Sequence, residues 1–164
     1  MNKIVICSRG SVSRKTSQHN ITHILSLLEP GVKPFLHPKF DRTNWRIFYC
    51  DDVTDSRMLN APTMEVVQHI LNWGNTLPSD ANVLIHCEAG MSRSPAAALL
   101  LMVQERGLDK IQECIDHLME IRPIAIPNSL IVKYGDMLLG ANNALYKASE
   151  ELVQKQIKRY LIKG

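Results

Sequence analysis

A chain of 164 residues, 45% hydrophobic and 21% charged, is long enough to bury a core, and its composition excludes a disordered or collagen-like chain. A net charge of +3, with no dense stripe of Lys and Arg, does not point to nucleic acid. Four cysteines (Cys7, Cys50, Cys87, Cys114) lack both the pair spacing of a zinc site and the density of a secreted disulfide scaffold, so a reducing, cytoplasmic setting without a metal is expected. The apolar run in MNKIVICSRGS is too short for a signal peptide and no stretch reaches membrane-spanning length, so no membrane partner is expected.

In chain order, Lys3 to Cys7 is an apolar run that predicts a first strand, and Ser8 to Asn20 is polar and reads as a loop. Thr22 to Leu28 (THILSLL) predicts a second strand, stopped by the turn signal Glu29-Pro30-Gly31. Arg46 to Cys50 (RIFYC) predicts a third, followed by a polar loop over Asp51 to Ala61. From Pro62 to Gly74, apolar Met64, Val67, Ile70 and Leu71 fall at helical spacing, with Pro62 in the first turn. Asn82 to Ile85 (NVLI) predicts a buried strand, and Pro95 to Arg106 (PAAALLLMVQER) a helix with Ser94 as N-cap. Leu108 to Ile121 predicts another helix, with Ile111, Ile115, Leu118 and Met119 on one face. Arg122 to Pro127 (RPIAIP) is extended, because each proline disfavours helix at the residue before it. Asn128 caps a helix that runs to about Leu139 and is closed by Gly140; Asn143 to Ile162 is a last amphipathic helix with basic residues late. Strands alternating with helices predict an α/β fold in one domain, a central, mainly parallel sheet flanked by helices.

The chemistry sits in His86-Cys87-Glu88-Ala89-Gly90-Met91-Ser92-Arg93-Ser94, where a strand passes through a loop into a helix. A loop that opens a helix gathers backbone N–H groups and the positive end of the helix dipole at one point, which suits an anion. Cys87 is the nucleophile candidate, since helix N-termini and nearby cations favour the reactive thiolate. Arg93 can donate two parallel hydrogen bonds to phosphate oxygens. The amides of Glu88, Ala89, Gly90, Met91, Ser92 and Arg93 would bind the remaining oxygens and the charge that develops on them. Ser94 can hydrogen-bond the Cys87 sulfur and assist its departure, and His86 is read as a positioning group. Asp51, Asp52 and Asp55 follow the third strand and leave the sheet at its carboxyl edge, where a carboxylic acid can protonate a leaving oxygen.

HCEAGMSRS with its Ala-rich helix resembles the signature of the cysteine-based protein tyrosine phosphatase superfamily, in its small dual-specificity-phosphatase-like branch. THILSLL, YCDDV and RPIAIPN followed by SLIVKYGDMLLG extend the likeness over roughly Thr22 to Leu139. The resemblance implies one phosphatase-like domain over 1–164, with 143–164 as a C-terminal helix. It implies Cys87 as nucleophile, Arg93 as phosphate ligand, Ser94 as the hydroxyl that assists breakdown of the thiophosphate, and Asn128 as a support behind the loop. Asp52, 35 residues before Cys87, is preferred as general acid over Asp55, which lies 32 before it, because Asp52 follows the strand directly and Leu77-Pro78-Ser79-Asp80 can absorb the extra length. There is no Trp-Pro-Asp sequence, so the mobile lid of larger relatives is not implied. The loop also lacks lysines, which argues mildly against inositol phospholipids.

Plainer readings stand beside these. Cys7 and Cys114 are packing residues, Cys50 is a core thiol or a redox partner for Cys87, and Arg9, Arg14 and Lys15 either line the mouth of the site or are solvated. The leading function is hydrolysis of phosphomonoesters through a phosphocysteine: phosphotyrosine, and further phosphoserine and phosphothreonine, in proteins or in small phosphoesters. No cofactor is implied. The alternatives are a phosphate-binding pseudophosphatase and a phosphatase acting on RNA 5′ ends or phospholipid.

Overall fold

Four short apolar runs form the sheet: β1 (Lys3–Ser8), β2 (His23–Leu28), β3 (Trp45–Tyr49) and β4 (Asn82–Cys87). The structure, a computed structural model, describes residues 1–34, 39–41 and 43–163, with Lys163 described by its backbone alone. All pairings are parallel, in the order β1-β4-β2-β3. Parallel strands are covered on both faces, which accounts for apolar runs rather than alternation in β2 and β4. Because the strands are parallel, their carboxyl ends share one edge, and β4 is an inner strand. Cys87, its last residue, therefore lies in the middle of that edge, opposite Ser8 of β1.

Among the described residues six helices accompany the strands: α1 (Val12–Gln18), α2 (Met64–Gly74), α3 (Arg93–Arg106), α4 (Ile111–Ile121), α5 (Ser129–Leu139) and α6 (Ala144–Lys163). Helix α3 is buried at every residue from Arg93 to Val103. A helix covered all round needs an apolar sequence all round, and PAAALLLMV supplies it. It packs against β4, α2, α4 and α5 in the larger core. A smaller core of Val5, Cys7, Val12, Ile21, Ile24, Trp45 and Leu84 forms around β1, β2 and α1.

Several local expectations change. Ser8 to Asn20 is not a loop: a 3-10 turn at Arg9–Ser11 leads into α1. Only Val12 and Thr16 of α1 are buried, one turn apart, too short a stripe to register as periodicity. Helix α2 begins at Met64, with the Thr63 hydroxyl oxygen accepting the Val66 N–H at 3.2 Å, so Pro62 lies outside it. Leu108–Lys110 is a 3-10 turn before α4. Ser94 is not a cap, since α3 opens at Arg93 and Ser92 holds the cap position. Asn128 does cap α5, its Oδ1 accepting the Ile131 N–H at 3.1 Å, and Gly140 closes that helix in the left-handed region. Part of the stretch 35–44, between β2 and β3, lies outside the described residues. Among the described residues no helix is long and apolar enough to cross a membrane.

Candidate active site

The loop between β4 and α3 is held from outside by its carbonyls. Glu88 O accepts the Arg9 N–H at 3.0 Å. Ala89 O and Gly90 O accept from the Arg122 guanidinium, Nη2 at 3.1 Å and Nε at 2.8 Å. Met91 O accepts the Ile126 N–H at 2.7 Å, and Ser92 O accepts the Asn128 N–H at 3.2 Å. In a planar trans peptide the N–H points opposite to the C=O. Five carbonyls turned outward therefore turn the amides of Ala89, Gly90, Met91, Ser92 and Arg93 inward, into an anion-binding nest at a helix N-terminus. Gly90 makes the turn at φ +70°, and a Cβ there would lie 2.5 Å from the Cys7 backbone. Only glycine fits both the angle and the space.

Cys87 is at the base of this nest, 1% exposed. Its Sγ accepts the Gly90 N–H at 3.3 Å and lies 3.2 Å from the Ser94 Oγ, which is fully buried. Ser94 thus touches the sulfur as the sequence suggested, from inside the first turn of α3 rather than from its cap.

Arg93 is 1% exposed, and two of its five N–H donors are in use. Nη1 donates to Cys50 O at 2.7 Å and Nη2 to the Glu29 carboxylate. Nε is buried without a hydrogen-bond partner; the nearest carboxylate oxygen, of Asp52, is 3.9 Å away. Burial disfavours the guanidinium charge, but the Glu29 hydrogen bond and the neighbouring Cys87, Glu29 and Asp52 outweigh it and raise the Arg93 pKa. Glu29 is a site residue that the sequence reading missed. It was taken only as part of the Glu-Pro-Gly turn, although its place at the carboxyl end of β2 could have marked it.

Asp52 reaches the loop from the segment after β3. Its Oδ1 accepts from the Ser92 hydroxyl at 2.6 Å and from the Asn128 amide at 2.9 Å. Asn128 Nδ2 also donates to Val53 O at 3.1 Å, so this one side chain caps α5 and pins the aspartate segment. Asp55 is turned away, in a bidentate pair with Arg57 at 2.7–3.2 Å. Asp51 is bonded by the Asn60 amide at 3.3 Å. The structure thus brings Asp52 to the loop and leaves the other two acids outside it.

His86 faces the opposite side of the sheet. The Trp45 indole N–H donates to the Ser26 Oγ at 2.8 Å, and Ser26 Oγ lies 2.6 Å from His86 Nε2. His86 Nδ1 is 3.4 Å from Cys87 O. A proton on Nδ1 lets Ser26 donate to Nε2 and faces an N–H, not a lone pair, toward the carbonyl. Burial pushes the His86 pKa down to about 4, so the ring is neutral and positions backbone rather than moving protons. Burial likewise pushes the Cys50 and Cys7 thiols up to about 11. Beside the loop, a cleft of about 520 Å³ is lined by Arg9, Gly10, Lys33, Pro34 and Glu88.

Comparison with known proteins agrees with this geometry. The family model of the dual specificity phosphatase catalytic domain matches residues 4–134. The chain is 31% identical over 133 residues to MAP kinase phosphatase with leucine-rich repeats protein 2 of Dictyostelium discoideum, covering 78% of this chain and 17% of that protein. It is 26% identical over 111 residues to protein phosphatase Slingshot homolog 3 of Mus musculus, covering 68% of this chain and 16% of that protein. The chain therefore spans about one sixth of the length of these curated relatives. The crystal structure of DUSP15 superposes with a TM-score of 0.64 at 19% identity, covering 92% of each chain, which speaks to the fold. With a parallel sheet ending in a thiol, a nest of amides and a buried arginine, and a family match over most of its length, the chain belongs to the dual specificity phosphatase catalytic-domain family.

Proposed function

We propose that the chain hydrolyses phosphomonoesters through a phosphocysteine, without a metal, acting on phosphotyrosine and further on phosphoserine and phosphothreonine in proteins. The observation that carries this reading is the buried Nε–H of Arg93, a donor without a hydrogen-bond partner on the residue that closes the loop begun at Cys87. A buried unpaired donor is costly unless a ligand completes it. Phosphate oxygens complete it and take up the inward amides as well.

In the first step the Cys87 thiolate attacks phosphorus and the ester oxygen leaves with a proton from Asp52. Ser92 and Asn128 hold Oδ1, leaving Oδ2 as the oxygen free to carry that proton. In the second step Asp52, now a carboxylate, takes a proton from water as the water attacks the phosphocysteine. Sulfur departs as thiolate, stabilised by the Ser94 hydroxyl and the Gly90 N–H. The amides and Arg93 bind the equatorial oxygens throughout. We assign the whole of 1–164 to this one phosphatase unit, and place it in the reducing cytoplasm, where the thiol of Cys87 persists.

The test is turnover of para-nitrophenyl phosphate in EDTA, then of matched phosphotyrosyl, phosphoseryl and phosphothreonyl peptides. The Cys87→Ser protein is expected to fall to background; full turnover by that variant refutes the mechanism. RNA 5′-phosphates and phospholipid headgroups in the same panel decide between substrate classes. Binding of a phosphopeptide by the unmodified protein with no turnover identifies a pseudophosphatase instead.

A further inference from the structure

We infer that Gln156, on α6 and remote from the reacting atoms, is a positioning residue for the anion loop; the inference rests on the phosphatase reading above. Gln156 is 2% exposed, a polar amide buried where α6 meets the segment between α4 and α5. A buried amide is tolerated only when its hydrogen bonds are made. Here Nε2 donates to Pro123 O at 2.7 Å and to Ala125 O at 3.2 Å. Oε1 accepts from Arg159 Nη1 at 3.4 Å, which fixes which way the amide faces.

Both carbonyls belong to the segment between α4 and α5, which is not extended throughout as the prolines suggested but opens on a turn closed by the Ala125 N–H on Arg122 O at 2.9 Å. That segment has two prolines and no strand partner, and the oxygens of Pro123 and Ala125 find their donor in a side chain. The same segment supplies most of the outside grip on the loop. Arg122 holds Ala89 O and Gly90 O, the Ile126 N–H holds Met91 O, and the Asn128 N–H holds Ser92 O. Four of the five outward carbonyls are thus held by 122–128, and 122–128 is held in turn by α6 through Gln156. Asn128 carries the same grip on to Asp52.

The chain of contacts is continuous: α6 amide, segment carbonyls, segment donors, loop carbonyls, inward amides. Removing the Gln156 amide leaves Pro123 O and Ala125 O without that donor. The segment then shifts to find others, and the loop peptides lose the orientation that aims their N–H groups at phosphate. The effect falls on anion affinity, although Gln156 touches no anion.

The experiment compares Gln156→Leu with Leu152→Ala, a core truncation one turn earlier on α6 that leaves the Gln156 bonds intact. Orthovanadate affinity is measured well below both Tm values, together with kcat and KM. Gln156→Leu is expected to weaken vanadate roughly three- to ten-fold, the share of one or two net hydrogen bonds. Leu152→Ala is expected to lower Tm while holding vanadate affinity within about twofold. Equal losses in the two variants, or none in Gln156→Leu, overturn the inference. If Gln156→Leu does not fold, Gln156→Asn, which keeps the amide one methylene short of the carbonyls, takes its place under the same criterion. If the unmodified protein binds no vanadate, the phosphatase reading fails. Exchange of the Ile126 amide then decides the positioning role: it must quicken in the Gln156 variant and not in Leu152→Ala.

Discussion

Acid should loosen this fold through His86. The ring is 2% exposed and its pKa is pushed by burial from 6.5 to about 4. The unfolded chain protonates His86 near the ordinary value, while the folded chain does so only near 4. Between those values the unfolded state holds one more proton, so stability rises with pH and is lost as pH falls from about 6.5 to 4. Full separation is worth about 3 kcal/mol, of which about 2 kcal/mol is lost between pH 7 and pH 5. The structure says why the charged ring is unwelcome. Ser26 Oγ already receives the Trp45 N–H, so a second N–H from Nε2 forces its own proton away from the ring. Urea unfolding at pH 7 and pH 5 measures this. The unmodified protein is expected to lose about 2 kcal/mol more than His86→Gln over that interval, a midpoint shift of about 1 M. Groups common to both proteins cancel in the comparison. Identical pH dependence in the two, or an imidazole resonance of His86 that titrates near 6.5 in the folded state, refutes the argument.

Two further perturbations bear on the site. Gly90→Ala places a Cβ 2.5 Å from the Cys7 backbone at φ +70°. Backbone cannot swing aside as a side-chain tip can, so a loss of about 2–4 kcal/mol is expected in thermal or urea unfolding, with vanadate binding abolished. Asp52→Ala is expected to slow alkyl phosphates by about 10²–10⁴-fold and para-nitrophenyl phosphate far less, because a good leaving group needs no proton. Asp55→Ala should leave both rates near those of the unmodified protein; if Asp55→Ala shows the leaving-group dependence instead, the assignment of the acid moves to Asp55.

Much of the site was legible because its signals are local. Cys87, Gly90, Arg93 and Ser94 lie within one strand–loop–helix passage, where sequence spacing nearly determines spatial relation. The four strands were legible as apolar runs, and α3 as a long one. What escaped depends on contacts far apart in the chain. Glu29 meets Arg93 across 64 residues, and Arg122 reaches Gly90 across 32. No periodicity encodes such pairs: the first follows from the strand order β1-β4-β2-β3, which sets β2 beside β4, and the second from where α4 ends against the loop. Ser94 was misread for the opposite reason. Its position suits a cap, but the helix begins one residue earlier and its hydroxyl is used on sulfur. Helix α1 escaped because its sequence, VSRKTSQ, buries only two residues, and tertiary packing outweighs weak local propensity.

The charges at the site explain why its amides matter as much as its arginine. Beside Cys87 the Arg93 guanidinium meets two carboxylates, those of Glu29 and Asp52. Glu29 occupies Nη2 and so subtracts from the attraction Arg93 offers an anion. Its compensation is geometric: with Nη1 on Cys50 O and Nη2 on Glu29, the guanidinium plane is fixed and the Nε–H keeps no hydrogen-bond partner. A phosphate dianion arriving beside an ionised Asp52 meets repulsion of about 4 kcal/mol per pair of unit charges at 4 Å, with an effective dielectric near 20. In the mechanism proposed above Asp52 delivers a proton to the leaving oxygen, and that same proton removes the repulsion. The favourable field must then come from groups without net charge, the inward N–H dipoles of Ala89 to Arg93 and the end of α3. Those dipoles keep their aim only while the carbonyls behind them are held, which is the work of Arg9, Arg122, Ile126 and Asn128.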